Sequence, residues 1–296
     1  MNLLLSFICL FFMGETFIPR DAPMRDPDVE NVKRATRLVK AGEFDEAEGI
    51  FREIVKTIHF NITTPNYALR DPLTAARNAC FAAWQKQPDV LWLRDVVLEF
   101  ALDIASAREH AETFLREDGN HAHSNYVMGS LYLYNEQHEA AEPYLKKSVD
   151  AAPRGFNNYA ETLRRLGRAV EAEPYARRAV EFAEAEGFRY YACAAYDTLA
   201  MTLVDQEKFA EALEPYGMSL KIGREVSQHS HVLFWMTGLH IYVGLRDVER
   251  ARHHRDFIAG YVHQLNAEER ETFIRLSDRL EALLIETENE APPVVE

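Results

Sequence analysis

Histidine and glutamate at helical spacing mark the stretch of this sequence best placed to carry metal chemistry. The segment His138-Glu139-Ala140-Ala141-Glu142 differs by one residue from the His-Glu-x-x-His motif, in which two histidines one helical turn apart bind zinc. Glu142 stands where the second histidine is needed, so one of the two metal ligands of that motif is missing. The sequence therefore predicts no zinc hydrolase site in this segment.

Closely spaced histidine pairs are the next candidates for metal binding. They are His121 with His123, His229 with His231, and His253 with His254. Residues one or two positions apart on a helix do not face the same side, and no carboxylate or cysteine stands at ligand spacing from these pairs. We therefore expect surface or inter-helix histidines and no metal site.

Motifs for other kinds of catalysis are missing from the sequence. It contains no glycine-rich phosphate loop after a strand and no Gly-x-Ser-x-Gly segment. Three cysteines, Cys9, Cys80 and Cys193, show neither disulfide nor zinc spacing, and the last two lie in apolar helical sequence as small core residues. The prediction is a non-catalytic protein without a cofactor; an enzyme with an unrecognised helical site is the catalytic alternative.

The element that must position any site is a repeated segment. Residues 141–149, 172–180 and 212–220 each contain Glu-Pro-Tyr, preceded closely by an alanine. In each copy a second small residue follows that alanine after seven positions, about two helical turns. Both small residues therefore face one side of a helix and let a neighbouring helix approach closely.

Extended upstream, the copies resemble the tetratricopeptide repeat, whose pattern runs Trp, Leu-Gly, Tyr, Ala, Phe, Ala, Pro over about 34 residues. In the first copy the matching residues are Met128, Gly129, Tyr132, Ala141, Leu145, Ser148 and Pro153, with Asn125 in place of the tryptophan. The run Gly42–Ala47 matches the same family near the N-terminus. The resemblance implies an all-α, right-handed solenoid of antiparallel helix pairs. Equivalent alanines are 31 and then 40 residues apart, and the longer spacing resembles the kinesin-light-chain type of repeat.

Four segments follow along the chain. Residues 1–27 form an apolar N-terminal segment and an extended lead-in, and residues 28–265 form the helical repeats. Residues 266–287 form a capping helix that opens on a capping box of Asn266 and Glu269. Residues 288–296 are acidic with paired prolines and are expected to be a disordered tail.

Proline and glycine mark helix boundaries within the repeats. Gly42 separates helices at 28–40 and 43–58, Asp71-Pro72 is expected to start a helix, and Pro88-Asp89 to precede one at 90–103. The prolines of Glu-Pro-Tyr are expected near the beginning of each second helix, where a missing N–H group costs little.

The first fourteen residues leave the compartment open. Residues 3–12 are apolar but short for a bilayer, no Lys or Arg precedes them, and no small-x-small cleavage site follows. A cytoplasmic protein whose true start is Met13 is one interpretation; an exported or membrane-tethered protein is the other. Membrane contact is expected only through residues 3–12.

Charge narrows the class of partner. The formal net charge is −14, which disfavours nucleic acid as a partner because nucleic acid binding requires a basic surface. We expect a protein or peptide partner, and the sequence leaves the oligomeric state open.

The resemblance also implies where a partner binds, because the first helix of each repeat lines the concave face of such solenoids. The implied binding residues are His123, Tyr126, Tyr134, Arg154, Asn157, Asn158, Glu161, Arg164, Arg165, Asp197, Met201 and Asp205, with Ser130 and Thr198 beside them. Only Asn158 matches the carboxylate clamp of co-chaperones in this family. Arg154, Asn158, Arg164 and Arg165 are the candidates for binding an acidic or C-terminal peptide group.

The sequence leaves two functions open. The first is a non-catalytic protein- or peptide-binding scaffold or adaptor. The alternative is a regulatory sensor whose solenoid closes on a small ligand or signalling peptide.

Overall fold

Segments rich in alanine and poor in internal glycine form helices throughout the described chain. The structure, a computed structural model, describes residues 26–61, 67–101, 104–149, 155–225 and 232–290. These residues contain no strand, which confirms the predicted all-α repeat fold. Their helices are α1 (Asp26–Ala41), α2 (Phe44–Asn61), α3 (Tyr67–Lys86), α4 (Trp92–Glu99), α5 (Ile104–Glu117), α6 (Ala122–Tyr134), α7 (His138–Ser148), α8 (Gly155–Arg165), α9 (Ala169–Glu186), α10 (Arg189–Val204), α11 (Phe209–Glu225), α12 (Val232–Gly244), α13 (Val248–Ala259) and α14 (Ala267–Glu290).

The described chain divides into two units within α8: an N-terminal unit up to Thr162 and a C-terminal unit from Leu163. In the N-terminal unit α1 packs against α2 and α3, and α6 packs against α5 and α7. In the C-terminal unit each helix from α9 to α13 packs against the next, and α14 contacts both α12 and α13. The sequential helix contacts are those expected of stacked helix pairs.

The small residues of the repeated segment lie in the core. All six are fully buried: Ala141, Ser148, Ala172, Ala179, Ala212 and Ser219. A larger side chain at these positions would have to displace a neighbouring helix. The predicted phase of the repeat is confirmed.

The turns inside five helix pairs share one hydrogen-bond pattern. Each turn has one residue with positive φ: Gly42, Glu136, Gly167, Glu207 or Arg246. In each, the N–H group of the next residue donates to the carbonyl oxygen five residues before it, at 2.9 Å. This is the bond of a Schellman motif, which satisfies carbonyl groups at a helix end. The pairs α1–α2 and α12–α13 therefore have the turn of the three repeats between them.

The prolines of Glu-Pro-Tyr lie deeper in their helices than the sequence predicts. Pro143 and Pro174 are the sixth residues of α7 and α9, and Pro215 is the seventh of α11. The first four N–H groups of a helix have no partner within it, so these prolines each remove one backbone hydrogen bond. The prediction of a position near the helix start was wrong by one turn.

The glutamate before one of these prolines joins neighbouring helix pairs. Glu173 of α9 accepts hydrogen bonds from Gln206 Nε2 and Lys208 Nζ, both at 2.9 Å. Gln206 and Lys208 flank Glu207, the residue with positive φ in the next turn. The bond from Lys208 lowers the pKa of Glu173 to about 2 despite its partial burial, because such bonds favour the charged carboxylate.

Three helix boundaries differ from the predictions. Helix α3 begins at Tyr67, so Pro72 is its sixth residue rather than its start. The helix predicted at 90–103 is shorter, since α4 covers Trp92–Glu99. Helix α14 continues to Glu290, three residues past the predicted end, and the rest of the predicted tail lies outside the described residues.

The capping box at the start of α14 is confirmed. The Asn266 side chain accepts from the Glu269 N–H group at 2.9 Å, and the Glu269 carboxylate accepts from the Asn266 N–H group at 2.8 Å. Leu276, Leu280 and Leu283 are buried against α12 and α13. This helix therefore covers the apolar surface of the last pair.

Residues 1–25 lie outside the described residues, so the structure does not test the hypotheses on residues 1–14. In the part of the chain that is described, no helix combines the length and apolar character needed to cross a bilayer.

Candidate functional site

Helices α6, α8 and α10, the first helices of three pairs, position the predicted binding residues. Each carries a residue six positions before the positive-φ residue of its turn: Ser130, Glu161 and Met201. We call the surface formed by the predicted binding residues in each unit the first-helix face of that unit. Arg154 lies outside the described residues.

In the N-terminal unit, His123 of this face and the neighbouring His121 contact carboxylates of α4. One oxygen of Asp95 lies 3.3 Å from His121 Nε2 and 3.4 Å from His123 Nδ1, and His123 Nε2 lies 3.6 Å from Glu99. Burial by itself would raise the pKa of Asp95, yet the contacts with His121 and His123 outweigh it and hold that pKa well below its usual range. His121 and His123 are inter-helix histidines, as predicted.

The remaining residues of the N-terminal unit differ in exposure. Tyr126 is buried, with its ring centre 6.1 Å from that of His123, and Tyr134 is half-buried. Asn157 and Glu161 are also half-buried. Asn158 is buried, and its amide donates to Ser130 Oγ at 2.8 Å. Its amide therefore joins α8 to α6, so Asn158 stabilises the packing of these two helices in the free protein.

In the C-terminal unit, both arginines at the end of α8 have intramolecular partners. Arg164 donates to Asp205 of α10 at 2.9 Å. Arg165 donates to Glu268 of α14 at 2.7 Å, across 103 residues of sequence. The sequence suggested an arginine patch open to a partner, but in the free protein Arg164 and Arg165 are already paired with carboxylates of the same chain.

Asp197 and Met201 of α10 complete the predicted set, and both are half-buried. Asp205, at the end of the same helix, is exposed. The C-terminal unit therefore contains two ion pairs on this face, Arg164 with Asp205 and Arg165 with Glu268 of the capping helix.

His240 is a residue of this face that the sequence analysis missed. It stands six residues before Arg246, the positive-φ residue of the α12–α13 turn, so it is equivalent to Glu161 and Met201. The side chain is half-buried, and burial lowers its pKa to about 4. Continuing the repeat register through α12 would have found it.

In the described part of the chain, the cysteines and the candidate metal ligands are poorly placed to support catalysis. Cys80 and Cys193 are buried, and burial raises the pKa of each thiol to about 12, so neither forms the thiolate that nucleophilic attack requires. Within the described ranges, no group of three or more His, Cys, Asp or Glu side chains is arranged to hold a metal ion.

Comparison with known protein families identifies the repeats. Models of the tetratricopeptide repeat match residues 122–154 and 152–225, which contain α6 to α11. Residues 122–225 are tetratricopeptide repeats. No curated protein matches the sequence. The kinesin-light-chain type of repeat stays a prediction.

The family match indicates the general role of the first-helix face. Stacked helical repeats create extended surfaces that bind other proteins, and tetratricopeptide repeats generally mediate protein–protein interactions. The turns of α1–α2 and α12–α13 have the same hydrogen bond as the matched repeats, although both pairs lie outside the matched residues.

Proposed function

We propose that this protein with tetratricopeptide repeats is a non-catalytic scaffold whose first-helix face binds a protein or peptide. The observation that carries the proposal is that Met201 and His240, which occupy one register position in the C-terminal unit, are both half-buried. In the N-terminal unit Glu161 at the same register position is also half-buried, whereas Ser130 is fully buried. The neighbouring position one residue before Glu161, Met201 and His240 is a fully buried Ala160, Ala200 or Leu239. One side of each of these helices is therefore buried in the core. The half-buried residues next to it place polar and apolar groups at the surface.

The ion pairs of the face are suited to exchange with a partner. Arg165 and Glu268 are 30% and 56% exposed in their side chains, and exposed ion pairs stabilise a fold by about 0–1 kcal/mol. An acidic group of a partner therefore competes with Glu268 for Arg165 at little cost to the fold. Arg164 and Asp205 are less exposed and are expected to stay paired.

Site-specific photo-crosslinking tests the proposal and captures the partner in the same experiment. The photoreactive residue benzoylphenylalanine replaces Glu161 or Met201 in two variants, and Val170 in the control. Val170 lies on the second helix α9 and is 74% exposed, so it is at least as accessible to a chance collision.

The first-helix variants are expected to give one discrete crosslinked product in cells, which excess unlabelled protein suppresses, while Val170 gives none. Mass spectrometry of that product identifies what we call the captured partner. Equal crosslinking at Val170 and at Glu161 would contradict binding through this face.

A further inference from the structure

His240 has a buried ring nitrogen that the fold leaves without a hydrogen bond. Its Nδ1 atom is buried and has no partner. The residue before it, Leu239, packs in one core cluster with Leu276 and Leu280 of α14, so His240 follows directly on a residue of the contact between α12 and α14. An N–H group that is buried without a hydrogen-bond partner is costly. The neutral ring is therefore more stable with its proton on Nε2, and Nε2 is then the hydrogen-bond donor.

Most of the charged groups that act on the pKa of this ring are arginines. Burial contributes most to the lowered pKa of His240. Asp205 raises this pKa, whereas Arg275, Arg164 and Arg279 lower it further. Three cations and one carboxylate therefore act on the charge state of the imidazole. This local excess of cations contrasts with the net charge of −14 for the whole chain.

Among the described residues, two of these arginines have no carboxylate partner. Arg164 pairs with Asp205, but Arg275 and Arg279 are exposed, and no described residue forms an ion pair with either. Other arginines against α14 are paired, since Arg246 contacts Glu286 at 2.7 Å and Arg255 contacts Glu281. Four residues apart on α14, Arg275 and Arg279 project from the same helix face.

We propose that Arg275, Arg279 and His240 bind the carboxylate of an acidic side chain from a peptide on the first-helix face of the C-terminal unit. Each guanidinium group presents a planar fork of N–H donors that matches a carboxylate, and Nε2 of His240 adds one donor. Bound anion also offsets the repulsion between the two unpaired cations. The proposal rests on the proposed function, because the anion is part of a bound peptide.

An acidic side chain suits the site, because two arginines one turn apart can bind a single oxyanion. Free phosphate shares this chemistry, so the experiment must distinguish the two sources.

Nuclear magnetic resonance of the His240 ring in the full chain tests the site directly. The probes are a blocked hexaglutamate peptide, inorganic phosphate and a blocked hexalysine peptide. Hexaglutamate is expected to shift the His240 ring resonances saturably and to raise the pKa of His240, because a nearby anion stabilises the imidazolium form. The double variant Arg275→Gln with Arg279→Gln is expected to bind hexaglutamate at least tenfold more weakly.

Arg270→Gln is the matched control, because Arg270 is an exposed arginine of the same helix that is not among the charges acting on His240. Its affinity for hexaglutamate should equal that of the wild type, and hexalysine should leave the His240 resonances in place. An unshifted His240, equal binding by the double variant, or phosphate binding as tight as that of hexaglutamate would each overturn the proposal. The natural partner is not needed, so failure here leaves the crosslinking test of the proposed function intact.

Discussion

Replacing Gly238 with alanine is expected to destabilise the protein by about 2–4 kcal/mol, from overpacking and a disturbed buried hydrogen bond. A Cβ atom at Gly238 would lie closer than 3.0 Å to the Tyr216 hydroxyl oxygen and to the His254 ring. These two groups bond to each other, since Tyr216 donates to His254 Nε2 at 2.8 Å. Both residues are buried, so neither side chain has room to withdraw.

Gly217 provides the matched control for this substitution. It lies on α11 in the same unit and would place a Cβ atom in open space. Gly217→Ala is therefore expected to stabilise the helix by about 0.5–1 kcal/mol. Urea unfolding followed by circular dichroism measures both free energies of unfolding, and a loss of the same size in both variants would show that the close approach at Gly238 has no role.

Lowering the pH from 6.5 to about 4.5 is expected to destabilise the protein, because the fold keeps His240 and His254 neutral. Burial lowers the pKa of His240 from 6.5 to about 4 and also lowers the pKa of His254. In this window the unfolded chain binds protons that the folded chain does not, so the free energy of unfolding falls as the pH falls. For His240 the loss reaches at most about 3 kcal/mol, at 1.36 kcal/mol per pKa unit.

A carboxylate with a lowered pKa affects the stability in a lower pH range. Glu173 has its folded pKa lowered from 4.5 to about 2, so its contribution is complete above 4.5 and is lost only below that value. His240→Gln is expected to flatten the decline of melting temperature between pH 6.5 and 4.5. The exposed His263 serves as the control, and an equally flattened curve for His263→Gln would contradict the assignment to His240.

The repeats and their packing could be predicted because they depend on local sequence. Alanine and serine spaced by seven fix which side of each helix is buried, and Ala172 and Ala179 are both fully buried. The capping box of Asn266 and Glu269 needs only residues three positions apart. Such features follow from helical geometry alone.

Features that depend on tertiary contacts escaped prediction. Glu136, Glu207 and Arg246 take the positive φ that favours glycine, because the repeated turn imposes it on whichever residue stands there. The pair of Arg165 with Glu268 spans 103 residues and depends on the path of α14, which no repeat pattern specifies. His240 was missed because the register was not continued into the last helix pair.

The measurement that tests the central claim most directly is the affinity of the captured partner for two single arginine variants. Arg165 lies on the first-helix face at the end of α8, whereas Arg178 is an exposed arginine of the second helix α9. With both variants shown by circular dichroism to fold and melt like the wild type, calorimetry should find binding at least tenfold weaker for Arg165→Ala and unchanged for Arg178→Ala. Unchanged affinity for Arg165→Ala together with a loss for Arg178→Ala would contradict binding through the first-helix face.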